Sequence, residues 1–276
     1  MSEKIKELEE FSVYLRYEEK SKATQEKYFR DIKNFYRYVG VRPITKEEVI
    51  SYKEHLKEKY APASVNSMLV ALNCFLKFTC RQDCCVKLLK IQKQIFCSEE
   101  KELSKDEYRR LIQAADDEKL SLLIRTICGT GIRVSELEYI SVEAVEKGRA
   151  VVDCKNKTRV IFIPVYVQEF LVQYIKNTGI KSGSVFTSRN GKPLDRSFVW
   201  RKMKNLCIEA EVTPEKVFPH NLRHLFARTF YSIESDIVKL ADVLGHTSIN
   251  TTRIYTMETG RKHMDMMEKM QDILAP

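Results

Sequence analysis

No run of about 18 consecutive apolar residues occurs in this chain, so nothing in it reads as a membrane span. It has no glycine-rich nucleotide loop and no ligand cage for a metal, so neither a nucleotide cofactor nor a metal cofactor is expected. The opening Met1-Ser2-Glu3-Lys4-Ile5-Lys6-Glu7-Leu8 is an amphipathic, charged helix and not a secretion signal. Internal repeats, low-complexity tracts and a long disordered tail are also missing. Cysteine is present eight times, at positions 74, 80, 84, 85, 97, 128, 154 and 207. A secreted disulfide scaffold would be shorter and richer in cysteine. Only Cys80, Cys84 and Cys85 lie close together, with no histidine or second cysteine pair nearby to complete a zinc site. Reduced, mostly buried thiols in a cytoplasmic protein are the expectation.

What is present is ample apolar material and an excess of positive charge. The 276 residues are 43% hydrophobic and 31% charged, enough for two ordinary domains with real cores. Net charge is +9, with 19 Lys/Arg against 13 Asp/Glu in residues 1–98 and 28 against 25 in residues 99–276. Such an excess suits a polyanion, because each neutralised phosphate releases counterions. Charge alone does not decide the matter, since many basic proteins bind no nucleic acid.

Helical spacing dominates the first ninety residues: Ile5, Leu8, Phe11 and Leu15, then Tyr28, Ile32, Phe35 and Tyr36 before a stop at Gly40. Thr45-Lys46-Glu47-Glu48 reads as a capping box opening a third helix that ends near Tyr60. Pro62 and Ser64 start a fourth, with Val65, Met68, Leu69, Leu72, Phe75 and Leu76 facing inward, and a fifth short helix is expected from Val86 to about Gln94. Periodicity lapses over residues 95–103, a linker, and Ser104-Lys105-Asp106-Glu107 forms a second capping box. A hairpin of Val151–Lys155 and Arg159–Pro164 surrounds a turn at Asn156-Lys157-Thr158. Helices follow near Tyr166–Asn177, Ser197–Ala210, Asn221–Tyr231 and Ser235–Leu244, and a last one over residues 261–274 carries Met264, Met267, Met270 and Ile273 on one stripe. The expected fold is mainly α with a small antiparallel sheet in a second domain, residues 104–276, preceded by a helical domain, residues 1–94.

The chemistry-bearing residues concentrate in that second part. Gly129-Thr130-Gly131-Ile132-Arg133 places an arginine after a tight turn at a helix start, where it would meet an anion or simply pair with Glu136. His220 and Arg223 lie three residues apart and share a helical face. His246 follows Gly245, which ends a helix, and a histidine there also suits a free carbonyl. Tyr255, one of 13 tyrosines, stands nine residues further on. Guanidinium forks match phosphate oxygens in two-point hydrogen bonds, and histidines move protons near neutral pH. A phenol, with a free pKa of about 10, attacks only where a cationic site stabilises its phenolate. Together these groups form a kit for attack on a phosphodiester by a tyrosine.

The series Gly129-Thr130-Gly131-Ile132-Arg133-Val134-Ser135-Glu136-Leu137, a hairpin lysine, His220-Asn221-Leu222-Arg223, Leu244-Gly245-His246 and Tyr255 resembles the tyrosine recombinases, or phage integrases. The likeness extends over nearly the whole chain, because the helical front looks like the family's SAM-like core-binding domain. The resemblance implies that Arg133 and Arg223 clamp the scissile phosphate, that Tyr255 forms a 3′-phosphotyrosyl bond, that His220 assists proton transfer and that His246 hydrogen-bonds the phosphate. Glu136 would support Arg133 and His220 from behind, and Lys155 would protonate the leaving 5′ oxygen. One residue is missing from the usual hairpin pattern, so Lys157 competes with Lys155 for that role.

The same resemblance implies a double-stranded DNA partner with an inverted-repeat site, held in a C-shaped clamp, and a homotetramer on DNA made by exchange of the helix at 261–274. The form the chain resembles is the Xer-like, two-domain one, so no arm-binding domain is expected. Lys22, Lys27, Arg30, Lys157, Arg201, Lys202 and Lys204 are candidates for backbone contacts to the duplex, or solvated basic faces. Two other functions stay open: a DNA-binding protein of this fold without strand transfer, and a monomeric topoisomerase of the same chemistry.

Overall fold

The computed structural model describes residues 2–91, 101–153, 158–188, 190–255 and 267–270. The chain divides into two compact units, Met1–Lys93 and Gln94–Pro276. Among the described residues no helix is long and apolar enough to cross a membrane.

The amino-terminal unit is built from α1 (Ser2–Tyr17), α2 (Lys22–Val39), α3 (Lys46–Lys59) and α4 (Pro62–Phe78). Leu8, Phe11 and Leu15 are buried on α1, whereas Ile5, one turn earlier, stays half exposed. The aromatic rings of Phe11, Tyr36 and Phe75 meet edge to face in the middle of the unit, an arrangement favoured by the ring quadrupole. Gly40 closes α2 at φ +62, a conformation glycine adopts without strain. At α3 only half of the expected capping box forms. Thr45 Oγ1 accepts from the Glu48 N–H at 3.3 Å, but the Glu48 carboxylate is taken by Arg42.

No helix forms over Val86–Ile91; a 3-10 turn at Gln82–Cys84 precedes it and the described chain then runs on without one. The reason lies on α4. Asn73 donates to the Val86 carbonyl at 2.8 Å and accepts from the Val86 N–H at 3.0 Å. Asn66, two turns earlier on the same face, does the same for Leu89 at 2.9 and 2.7 Å. Each amide thus satisfies the backbone groups a helix would have used, as a neighbouring strand would.

The carboxy-terminal unit begins at α5 (Lys105–Gln113), where Ser104 and Glu107 form the complete, reciprocal capping box. Then come α6 (Glu118–Thr130), a 3-10 turn at Val134–Tyr139, α7 (Val142–Glu146), β1 (Arg149–Asp153), β2 (Thr158–Phe162), α8 (Val165–Thr178) and α9 (Arg196–Asn205). α10 (Pro219–Glu234), α11 (Ile237–Leu244), α12 (Ile249–Thr252) and a 3-10 turn at Arg253–Tyr255 complete it. Gly129 and Thr130 belong to α6, and only Gly131, at φ +65, makes the turn before Arg133. The strands pair antiparallel from Arg149↔Phe162 to Asp153↔Thr158, so the hairpin starts two residues earlier than the sequence pattern suggests. Ala150, Val152 and Ile161 turn into the core, while Val151, Val160 and Phe162 face out. Of the six described cysteines, none is in a disulfide; Cys84 and Cys207 are buried and Cys80 is exposed.

Replacing Asn73 with alanine would leave both polar groups of the buried Val86 without partners. A loss of about 1–3 kcal/mol in the stability of this unit is expected, read from urea unfolding of the variant against the parent.

Candidate active site

α10 opens with Pro219 at its first position, where a missing N–H costs nothing. His220 follows in the first turn, and Arg223 one turn on points into the unit, where it is 1% exposed. Its guanidinium donates to the Gly131 carbonyl at the end of α6, and to the Leu244 carbonyl at the end of α11 at 2.7 Å. Helix carboxyl ends carry free carbonyls and partial negative charge, so two of them together seat a buried cation. Burial, and then the charge of Arg133, lower the Arg223 pKa to about 10 against the opposing interaction with Tyr255. It stays a cation at neutral pH.

Arg133 leaves the Gly131 turn partly exposed. Glu136 accepts from its backbone N–H at 3.0 Å and from its Nη1 at 2.9 Å. The carboxylate oxygen that takes the Arg133 N–H, Oε2, also accepts from Arg159 Nη2. Burial alone would push the Glu136 pKa up; the Arg133 N–H and the two guanidiniums outweigh it and hold it below the ordinary value.

His246 emerges from Gly245, which caps α11 at φ +65. Its Nε2 lies 3.1 Å from Arg223 Nη2 and its Nδ1 2.9 Å from Thr252 Oγ1. Arginine can only donate, so Nε2 carries the lone pair and the proton sits on Nδ1, facing Thr252. Burial and the charges of Arg223, Arg133 and Arg159 lower the His246 pKa to about 4. His224 is lowered to about 4 by burial, His220 and Arg223, and the His220 pKa is lowered by desolvation and by Arg223, Arg133 and Arg196.

Tyr255, 3% exposed, packs on Ala227, Leu240 and Leu244. Its ring stacks on His246 at 5.7 Å between centroids, meets His224 edge to face at 4.5 Å and lies 6.3 Å from His220. The structure therefore brings Arg133, Glu136, His220, Arg223, His246 and Tyr255 around one point. Arg159, Thr252 and His224 join them without a role assigned from sequence. Their only signals are the charge that opens β2 and the spacings from Tyr255 and His220. Lys155 and Lys157 lie outside the described residues, as do the linker up to residue 100 and most of residues 261–274. Among the described residues no group of three His, Cys, Asp or Glu is arranged to hold a metal ion.

The proposed duplex-facing residues divide. Lys22, Arg30 and Arg201 are exposed. Lys27 is drawn onto the buried Asp31 at 2.6 Å and onto the Ser67 carbonyl, Lys202 lies 3.8 Å from Asp117, and Lys204 donates to the Pro214 carbonyl.

A buried guanidinium, a second one partly exposed, neutral imidazoles and a phenol thus gather on a mainly helical unit with a two-stranded sheet, the groups that phosphoryl transfer by a tyrosine requires. Residues 101–261 match the phage integrase family, and residues 8–84 match the phage integrase N-terminal SAM-like domain. The chain is 31% identical to tyrosine recombinase XerA of Pyrococcus furiosus, covering 95% of this chain and 93% of that protein. It is 28% identical to tyrosine recombinase XerD of Halalkalibacterium halodurans, covering 89% and 90%. Its fold matches that of a lambda integrase tetramer bound to a Holliday junction, with a TM-score of 0.73 at 20% identity over 91% of this chain and 76% of that one. The chain belongs to the phage integrase family and is a tyrosine site-specific recombinase.

The histidine assignment carries a pH dependence. The folded pKa of His246, about 4, lies below its ordinary 6.5, so the unfolded chain takes up the proton first as pH falls. Its contribution to stability is complete above pH 6.5 and is lost as pH drops towards 4. An NMR titration of the DNA-free protein should give a midpoint near 4 for His246, with the proton on Nδ1 at pH 7.

Proposed function

We propose that Tyr255 attacks the phosphorus of a DNA strand, and that the P–O5′ bond breaks as the 3′-phosphotyrosyl bond forms. The phenol proton passes to His220, which is neutral at pH 7 and above, and the leaving 5′ oxygen takes a proton from the hairpin lysine, Lys155 in preference to Lys157. Attack by a 5′-hydroxyl of a partner strand reverses the step and restores the phenol. One phosphoester is exchanged for another, so no ATP is spent.

One observation carries this reading: a buried tyrosine packed beside a buried arginine that is held by two helix-end carbonyls and a neutral imidazole and interacts with the tyrosine itself. Arg133, Arg159 and Arg223 set three positive charges against the single negative charge of Glu136, a net +2 with the histidines neutral. A phosphodiester under attack by a phenolate carries two negative charges in its pentavalent state. The seat carries more positive charge than the ground-state monoanion needs, so the charge that builds on the phosphate during attack is stabilised more than the ground state. In the DNA-free arrangement His246 Nε2 accepts from Arg223 and has no proton to give. For His246 to hydrogen-bond the phosphate, the proton must move to Nε2, with the Thr252 hydroxyl turned to donate to Nδ1.

The partner in this proposal is duplex DNA with inverted half-sites, in the cytoplasm, and the active assembly is a tetramer on two duplexes. The lambda integrase tetramer on a Holliday junction supports that assembly by likeness of fold. Residues 267–270 are helical, with Met267 and Met270 exposed, which suits a tail that docks on a neighbouring protomer.

Two measurements test the proposal. On a nicked duplex that traps the intermediate, the parent should form a denaturation-resistant protein–DNA adduct and Tyr255→Phe none, while binding DNA within about threefold of the parent. Arg223→Lys should slow adduct formation by at least about 100-fold, the usual loss when one charge-stabilising donor is removed. An adduct that persists in Tyr255→Phe would sink the assignment. Deleting residues 261–276 should abolish pairing of two duplexes in sedimentation and leave cleavage of a single site. Unimpaired pairing would favour a different interface, and a monomer active in relaxing supercoils would favour a topoisomerase.

A further inference from the structure

Arg159 is the second residue of β2, after Thr158, and its side chain is 14% exposed. It reaches two other parts of the unit. Nη2 is paired with Glu136 Oε2, and Nη1 donates to the Val243 carbonyl on α11 at 3.0 Å. Its shaft crosses the face of Gly245, where an added Cβ would collide with Arg159 Cδ and lie 3.0 Å from Nε. Among the described residues that Nε is buried without a hydrogen-bond partner.

Each contact leads to a different phosphate-facing group. Glu136 fixes Arg133 through both its N–H and its guanidinium. Val243 and Gly245 form the helix end from which His246 emerges, and the Gly245 and His246 N–H groups tie back into α11. We infer that Arg159 is a positioning residue that braces Arg133 against His246, and that position 245 is glycine partly to let this side chain pass. Arg159 stands behind Glu136 and Gly245 and acts through them. A lysine would keep the charge but has no rigid fork with which to hold a carboxylate and a carbonyl at once. The brace, and not the charge, is therefore what Arg159→Lys removes.

This inference rests on the proposed chemistry at Tyr255, and the test separates the two. The probe is a nicked duplex carrying the sequence recovered by covalent capture from a random-duplex pool on the parent chain; failure of the parent to capture any duplex overturns the proposed chemistry and leaves the brace without a basis. With capture in hand, Arg159→Lys should form the adduct about 30- to 100-fold more slowly, as for a reacting group displaced by about an ångström, with affinity for the probe changed less than about threefold. Adduct formation at the parental rate would mean that charge suffices and would overturn the brace, as would a rate loss matched by an equal loss of affinity. Should Arg159→Lys bind no probe, a double-mutant cycle decides. Gly245→Ala should slow the parent but add little in an Arg159→Ala background, where the colliding side chain is gone. An equal effect in both backgrounds would reduce Gly245 to its left-handed backbone alone and overturn the link.

Discussion

A single buried cation organises the carboxy-terminal unit. Among the described residues Arg223 is the largest side chain that is almost wholly removed from solvent, and its hydrogen bonds there go to no carboxylate. Burying a charge without partners costs far more than one domain's stability margin. What makes it tolerable is the convergence of two helix carboxyl ends, those of α6 and α11, on one guanidinium carried by α10. Glycine at 131 and at 245 ends each helix sharply enough to leave its last carbonyls free and aimed. Dipoles stabilise the cation without cancelling its charge, so the site keeps an attraction for an anion that a carboxylate partner would have spent.

The rest of the site follows from that choice. Two further arginines share one carboxylate, Glu136, which orders them but neutralises only one of them. Burial, together with the concentration of positive charge, keeps the imidazoles neutral; His246 and His224, at about 4, are far from protonation at pH 7. A neutral histidine beside Tyr255 can accept a proton, whereas an imidazolium could not. The phenol itself is confined by apolar neighbours and histidine rings, which fix its direction before any substrate arrives.

Much of the architecture was legible in local pattern. The helical stripes of α1 to α4, the capping box at Ser104 and the hairpin all rest on contacts between residues close in the chain. The ordered series from Arg133 to Tyr255 was readable because it is a fixed set of residue types at fixed spacings. Where reading failed, a distant group had intervened. The helix expected from Val86 is absent because Asn66 and Asn73 claim its backbone. The Thr45 capping box is half made because Arg42 takes the Glu48 carboxylate. Arg159 looked like one more hairpin charge, since nothing near it in sequence reveals Val243, 84 residues away.

The sequence by itself determined the class of protein, the helical character of both units and the choice of Tyr255 as candidate nucleophile, because residue type, spacing and caps are local properties. The tertiary structure alone decided that Arg223 is buried against carbonyls, that the histidines are uncharged, that the His246 proton faces Thr252 and that Arg159 links Arg133 to His246. Burial and field depend on which distant helix ends meet in space. The partners involved, such as Gly131 and Arg223, lie 92 residues apart.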